Sequence, residues 1–288
     1  MPSLLADMNV TESIKTRKSW RTYTGKAIED EKKDRISEYI FALDEPPFGS
    51  EARFRIVDLD LKGAGMVSGT YGLVKGAKSF LAGAVRKGPM DLEDFGYLFE
   101  KIILFSTGIG LSTCWMGATF SRHLFSEKME LKPEETLPAI SPVGYRAMKR
   151  SLRDTVFHLS AGSRNRKKWP ELFFNKNFHS PLRKGVHEKL DGLFEMVRLA
   201  PSAVNKQPWR LVLDGRTIHF FLKRTGGFEQ MFKMDLQRMD MGIAMCHFEL
   251  AAVESGVAGE WKVLQPDISS LPDGVEYVVS RECFGDVS

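Results

Sequence analysis

The chain has 288 residues, enough for one large domain or two smaller ones and for a substantial buried core, and its 43% hydrophobic and 27% charged residues are those of a soluble globular protein. The N-terminal stretch carries Asp7 and Glu12 and has no apolar core, so it is no secretory signal. Three widely spaced cysteines (Cys114, Cys246, Cys283) form neither a disulfide framework nor a CxxC metal pair, and a cytoplasmic, reducing location without a bound metal is expected.

In chain order, "RKSWR" (17–21) comes first. On an extended segment its period-two spacing points Arg17, Ser19 and Arg21 to one side. Two guanidiniums and a hydroxyl suit a phosphate and a nearby anion; an exposed basic turn is the alternative. "EDEKKDRISEYIFAL" (29–43) places Ile36, Ile40 and Leu43 on one helical face. A loop, "DEPPFGSEA", leads into a strand at "RFRIVD" (53–58), and another strand is expected at "SFLAGAV" (79–85). Residues 102–120 run nineteen positions without a charge, long enough to raise a membrane span. Three glycines, five Ser/Thr and the bordering Glu100-Lys101 instead favour a buried helix that stops at Gly108/Gly110 and passes into a buried strand. A late strand follows at "PAISPV" (138–143).

The net charge of +4 is uneven. Residues 146–169 hold eight Lys/Arg against one Asp, a local +7, which leaves about −3 for the rest. Such a stretch could bind nucleic acid, bind a phosphate ester, or be a solvated connector; it has few aromatics and no recognisable nucleic-acid motif. Beyond it, "VHEKLDGLFEMVRLA" (186–200) aligns Val186, Leu190, Leu193 and Val197 on one helical face, and "APSAVNKQPWR" (200–210) leads into a strand at "WRLVLD" (209–214). Further strands are expected at "IHFFLK" (218–223) and "VEYVVS" (275–280).

The order of elements recurs. Residues 94–115 and 240–261 match at Asp94/Asp240, Gly96/Gly242, Leu104/Leu250, Gly110/Gly256 and Trp115/Trp261, all at an offset of 146. The chain reads as two α+β copies: a first repeat at 1–146, a basic connector at 147–180, and a shorter second repeat at 181–288. Fused copies of this kind pack about a pseudo-twofold axis, so a monomer acting as an intramolecular pseudo-dimer is expected.

"RKSWRTY" (17–23), "GLSTCWMGA" (110–118), "PVGY" (142–145), "SRNRKKWPELFF" (163–174) and "APSAVNKQPWR" together resemble the motifs of the FMN-dependent nitroreductase family, in its double-length subgroup. The resemblance implies FMN bound where the two copies meet. It gives the phosphate to Arg17 and Ser19, with Lys18 beside them, and places Arg21 near the ring edge where negative charge gathers on reduction. It draws hydrogen bonds to the ring from the backbone of Met116, Gly117 and Ala118, where a glycine permits close approach. Arg164 and Arg166 would return to the phosphate, which gives the basic stretch a use. Pro201, Ser202, Asn205 and Gln207 would lie against the ring and ribityl chain, the amides bonding the cofactor or holding the loop.

Two departures stand out. Lys18 and the bulky Trp20 occupy positions that are often Arg and a small aliphatic residue. The copies have also diverged: the first lacks the Asn and Gln-Pro-Trp of the loop, and the second has "FNKNFHSPL" (174–182) where the Arg-x-Ser-x-Arg pattern would be, so one flavin per chain is expected. The implied function is NAD(P)H-dependent, ping-pong reduction of a small-molecule acceptor such as a nitroaromatic or quinone, the flavin itself carrying the hydride with no side chain as general acid or base. The alternatives are a flavin-binding or sensing protein with little turnover, and a nucleic-acid-associated protein; neither nucleic acid nor membrane is expected as a partner.

Overall fold

The long apolar run is a helix and then a strand, as its glycines suggest. In the computed structural model, which describes residues 9–62, 66–67, 69–149, 151, 154, 165–232, 234–268 and 270–284, the chain divides into two compact units at 163/164. Among the described residues no helix is long and apolar enough to cross a membrane.

Unit 1 starts with helix α1 (Val10–Thr16), capped by Asn9, whose side chain accepts the Glu12 N–H at 2.7 Å, and continues with α2 (Asp30–Phe41). Strand β1 (Ala52–Asp58), the short β2 (Leu61–Lys62) and β3 (Met66–Val67), and β4 (Ser79–Arg86) follow. Helix α3 (Asp91–Gly108) opens with Asp91, Glu93 and Asp94, whose charges favour a helix N-terminus. It is followed by β5 (Ser112–Thr113), α4 (Arg122–Met129), β6 (Glu135–Thr136) and β7 (Ile140–Gly144). The main sheet runs β1-β4-β7-β5, every neighbouring pair antiparallel, with β6 alongside one end of β4. β4 is buried over all but its last residue: Phe80, Ala82 and Ala84 join a core with Phe125 of α4, Gly83 lies against Phe95 of α3, and Leu81 and Phe99 are buried as well. Each buried Phe or Leu side chain contributes about 1.5–3 kcal/mol by leaving water.

Unit 2 begins, among the described residues, with α5 (Trp169–Leu172), β8 (Phe173–Asn175) and β9 (Asn177–Pro181). Then come α6 (Glu188–Leu199), a short 3-10 turn at Ala203–Asn205, β10 (Trp209–Asp214), β11 (Thr217–Lys223), α7 (Phe228–Phe232), α8 (Leu236–Glu254), β12 (Gly259–Lys262) and β13 (Val275–Cys283). Within its sheet, β10-β11-β13-β12 repeats the order β1-β4-β7-β5, again with every pair antiparallel. β8 adds to β10 in parallel and β9 pairs antiparallel to β8, so residues 173–180 of the basic connector are built into the second sheet. The core holds Phe173, Phe194, Trp209, Phe220, Phe221 and Phe248.

The helical faces differ from expectation at their ends. Val186 is 60% exposed because α6 starts only at Glu188; Leu190, Leu193 and Val197 are buried as expected. On α2, Ile36 is buried but Ile40 and Leu43 are half-buried, and Tyr39 takes the inner position by stacking on Phe105 at 4.2 Å.

The two copies also share an anchor. Asp94, near the start of α3, accepts the N–H groups of Phe48 at 3.1 Å and Ser50 at 2.9 Å. Asp240, at the matching place in α8, accepts that of Ala203 at 2.9 Å. In each unit a buried carboxylate holds the loop between the unit's α-helix and the first strand of its repeated sheet order. This is the physical content of the matched aspartates.

Candidate functional site

Arg17 ends α1, with φ −56° and ψ 125°, and from there the chain runs along the sheet edge. Ser19 bridges Thr113, and Trp20 donates its N–H to the Thr113 carbonyl at 3.0 Å. Tyr23 donates its N–H to the Lys75 carbonyl at 2.7 Å and bridges Arg146. Its hydroxyl donates to the Trp20 carbonyl at 2.7 Å, and burial pushes that hydroxyl's pKa well above the ordinary value. Gly76 makes the crossing possible: its φ is +77°, and a Cβ there would lie 2.2 Å from the Tyr23 carbonyl oxygen. Residues 17–23 are therefore fixed from both sides.

A cleft opens beside this segment, lined by Thr16, Arg17, Lys18, Trp20, Thr107, Leu111, Ser112, Thr113 and Arg146. Arg17 is its most informative residue. Its side chain is 6% exposed, yet among the described residues its Nε and one terminal nitrogen, Nη1, have no hydrogen-bond partner. The nearest carboxylate is Glu100, fully buried, with Oε1 3.9 Å from Nε, too far for a hydrogen bond. Glu100 Oε2 is taken by the indole N–H of Trp115 at 2.6 Å. The Thr113 hydroxyl, also buried, has no partner among the described residues either. A buried guanidinium with unmet donors is costly, so the arrangement fits an anion that meets them.

The alternation expected of "RKSWR" is not what the structure has. The cleft is lined by Arg17, Lys18 and Trp20, and not by Ser19 or Arg21, because residue 17 belongs to the helix end and alternation starts only after it. Lys18 is exposed and Ser19 half-buried. Arg21 faces Asp154, fully buried, at 3.8 Å, and Asp154 also accepts the Arg21 N–H at 3.3 Å and the Thr22 hydroxyl at 3.2 Å. That carboxylate offsets the charge Arg21 would otherwise present.

Met116 also departs from expectation. Its N–H donates to the Ile140 carbonyl at 2.9 Å and its carbonyl accepts the Ile140 N–H at 3.0 Å, so its amide is committed to the sheet. The half-exposed Gly117 and Ala118 have no partner for their amides among the described residues. They are the donors left in this stretch. Cys114 is buried core.

In unit 2, the loop 200–210 is bound to itself and to the end of the basic connector. Ser202 Oγ accepts the Gln207 N–H at 2.8 Å. The Gln207 side chain accepts the Lys167 N–H at 2.7 Å and donates to the Asn165 carbonyl at 3.2 Å. Asn205 Nδ2 donates to the same carbonyl at 2.8 Å, and Asn205 Oδ1 accepts from Arg166 at 2.6 Å. Arg166 spends another nitrogen on the Leu199 carbonyl at 2.9 Å, so its fork is directed to the loop rather than held open for a phosphate. Arg164 lies outside the described residues. Pro201 and Gln207 are buried or nearly so, Ser202 and Asn205 half-buried. Val204, Asn205 and Gln207 have φ of 49°, 54° and 48°, a strained run for non-glycine residues and most of all for β-branched valine. Burial, reinforced by the neighbouring charges of Arg210, Lys206 and Lys223, lowers the pKa of the Lys167 ammonium.

Glu100, Asp154, Thr113 and Arg146 were not among the residues singled out from sequence. Glu100 carried a signal, a charge at the border of a long apolar run; Asp154 and Arg146 lay unmarked in the basic stretch. Among the described residues no group of three or more His, Cys, Asp or Glu side chains is placed to hold a metal ion.

The fold is α+β with two repeated antiparallel sheet orders, and its first unit carries a cleft suited to an anion. Residues 9–252 match the family model described as "Putative TM nitroreductase", and the chain belongs to the nitroreductase family. A crystal structure of a "putative nitroreductase" from Thermotoga maritima shares its fold: 20% identity, 96% of this chain and 94% of that chain covered, TM-score 0.61. Shorter similar structures include an FMN-dependent nitroreductase from Clostridium difficile R20291, at 20% identity over 50% of this chain and 92% of that chain with TM-score 0.40. Another is a point mutant of the FMN and NADPH-dependent nitroreductase NfnB from Sphigopyxis sp. strain HMH, at 14% identity over 50% and 90% with TM-score 0.39. No curated protein sequence matches the chain.

Proposed function

We propose that the protein is an FMN-dependent oxidoreductase that takes reducing equivalents from NADH or NADPH and passes them to a small acceptor such as a nitroaromatic or quinone, in ping-pong fashion. Family membership supports the class. The single observation that carries the cofactor assignment is Arg17: a buried guanidinium with two unmet nitrogens in a cleft that also holds the unpartnered Thr113 hydroxyl. These groups fit the phosphate end of FMN. When bound, FMN would supply hydride transfer at its N5.

The chain's own contributions follow from the geometry. Arg17 would bind the phosphate with charge-assisted hydrogen bonds, and Thr113 would offer its hydroxyl. Glu100, fixed by Trp115, offsets the cost of burying Arg17 while the phosphate is away. Gly117 and Ala118 would donate backbone N–H groups toward the ring, with Met116 pinning that stretch to β7. We propose further that the protein acts as a monomer and binds one FMN per chain.

Arg17→Ala tests the reading. A charge-assisted bond to a buried arginine is worth about 1.5–3 kcal/mol, so FMN binding should weaken roughly 10- to 150-fold. Riboflavin, which has no phosphate, should bind the variant nearly as before. Equal loss of both flavins, or of neither, contradicts the assignment. Bleaching of bound flavin by NADH or NADPH, followed by aerobic reoxidation, separates an enzyme from a flavin-binding protein with little turnover.

A further inference from the structure

We propose that Arg146, seated on the indole of Trp20, is a second phosphate-binding cation of the unit 1 cleft, and that Trp20 is the positioning residue that holds it there. The proposal rests on the reading that the FMN phosphate occupies this cleft.

The charge balance of the cleft calls for such a residue. A phosphate monoester carries about −1.5 to −2 at neutral pH. Arg17 cannot match this alone, because the fully buried Glu100 carboxylate lies 3.9 Å from it and offsets most of its charge. Arg21 is offset in the same way by Asp154 and does not line the cleft. The cations left on the cleft wall are the exposed Lys18 and Arg146.

Of these two, Arg146 is the one held in place. Its backbone is tied to the 17–23 segment: Tyr23 bridges Arg146, the Thr24 N–H donates to the Tyr145 carbonyl at 2.9 Å, and the Ala147 N–H donates to the Thr22 carbonyl at 2.9 Å. Its guanidinium lies over the Trp20 ring, 5.5 Å from the centroid. An attraction between the charge and the ring does not use up the guanidinium's hydrogen-bond donors. Among the described residues no carboxylate pairs with Arg146, so those donors are not diverted to an ion pair. The bulk of Trp20, otherwise an obstruction at the cleft wall, becomes a shelf. It lowers the entropy lost when a long, exposed side chain is immobilised on an anion.

The test is a set of fluorescence titrations of the full chain, freed of flavin, with FMN and with riboflavin. Arg146 is solvent-exposed, so Arg146→Gln should fold as the wild type does. It should weaken FMN binding about fivefold, the upper range for a solvent-exposed charge pair, and leave riboflavin within about a factor of two. Trp20→Leu should give the same selective loss by releasing Arg146. The double variant should bind FMN no more weakly than Arg146→Gln, because the shelf has no role once its cargo is gone. Unchanged FMN affinity in Arg146→Gln, or equal loss of both flavins, overturns the proposal; additive losses in the double variant overturn the part assigned to Trp20. Arg17→Ala run in parallel separates the levels. If it loses FMN selectively while Arg146→Gln does not, only the second cation is wrong. If it too leaves FMN unaffected, the phosphate is not in this cleft and both readings fall.

Discussion

The two units solve one architectural problem with different residues. Each holds the loop after its helix with an aspartate on its long helix, but Asp94 has both oxygens satisfied, by Phe48 and Ser50, whereas Asp240 accepts the Ala203 N–H and its buried Oδ2 has no partner among the described residues. The left-handed position in the first loop is Gly49, with φ 74°; in the second loop Val204, Asn205 and Gln207 take that conformation without a glycine among them. Ahead of α2, the first unit has a helix end and a cleft, while the second has the β8–β9 strand pair ahead of α6. The first copy has a relaxed loop and a cleft at its helix end; the second has a strained loop. Strain of this kind gathers where function over-determines the backbone.

Substitutions at matched positions should break the comparison if it is wrong. The largest effect is expected at Asp94: Asp94→Ala strips two loop amides of their acceptor and should cost about 2–4 kcal/mol in denaturant unfolding. Asp240→Ala frees one amide and removes an unmet carboxyl oxygen, so it should cost less, about 1–2 kcal/mol. Equal losses would mean that the two anchors are equivalent.

Acidity sharpens the same point. Burial raises the pKa of Asp94 and pushes that of Asp240 further, well above the carboxylate range. A raised folded-state pKa means that the unfolded chain releases the proton first. The contribution of these two groups to stability is therefore full below about pH 4 and is lost as pH rises from there through the folded-state value. Asp240→Asn, which keeps the uncharged shape, should flatten that fall, and Asp94→Asn should flatten it less. A pH series of unfolding free energies for the three proteins checks the order.

The smallest effects are expected in the loops. Val204→Asn should stabilise by about 0.5–1 kcal/mol, because asparagine tolerates the left-handed region and Val204 is half exposed. Gly49→Val should destabilise by about 1–2 kcal/mol although the space around it is open, purely from its φ. A destabilising Val204→Asn would mean that the valine side chain packs in a way its exposure does not suggest.

Much of the fold was legible because it rests on local periodicity. The strands at 53–58, 79–85, 209–214 and 218–223 and the helix-to-glycine ends at Gly110 and Gly256 fall where patterning puts them. The site was less legible because its residues are defined by what they lack. Nothing in "RKSWR" says that Arg17 sits at a helix end while Arg21 meets Asp154, 133 positions away. Nor does "APSAVNKQPWR" reveal that Asn205 and Gln207 are spent on Asn165 and Lys167. These partners are distant in sequence and only folding brings them together.

We propose that the two copies have separated in function and that the first holds the phosphate. Calorimetric titration of the flavin-free full chain with FMN tests it most directly. Saturation at one FMN per chain is expected, with tight binding lost in Arg17→Ala; two tight FMN per chain, or one that is indifferent to Arg17, would rule this assignment out.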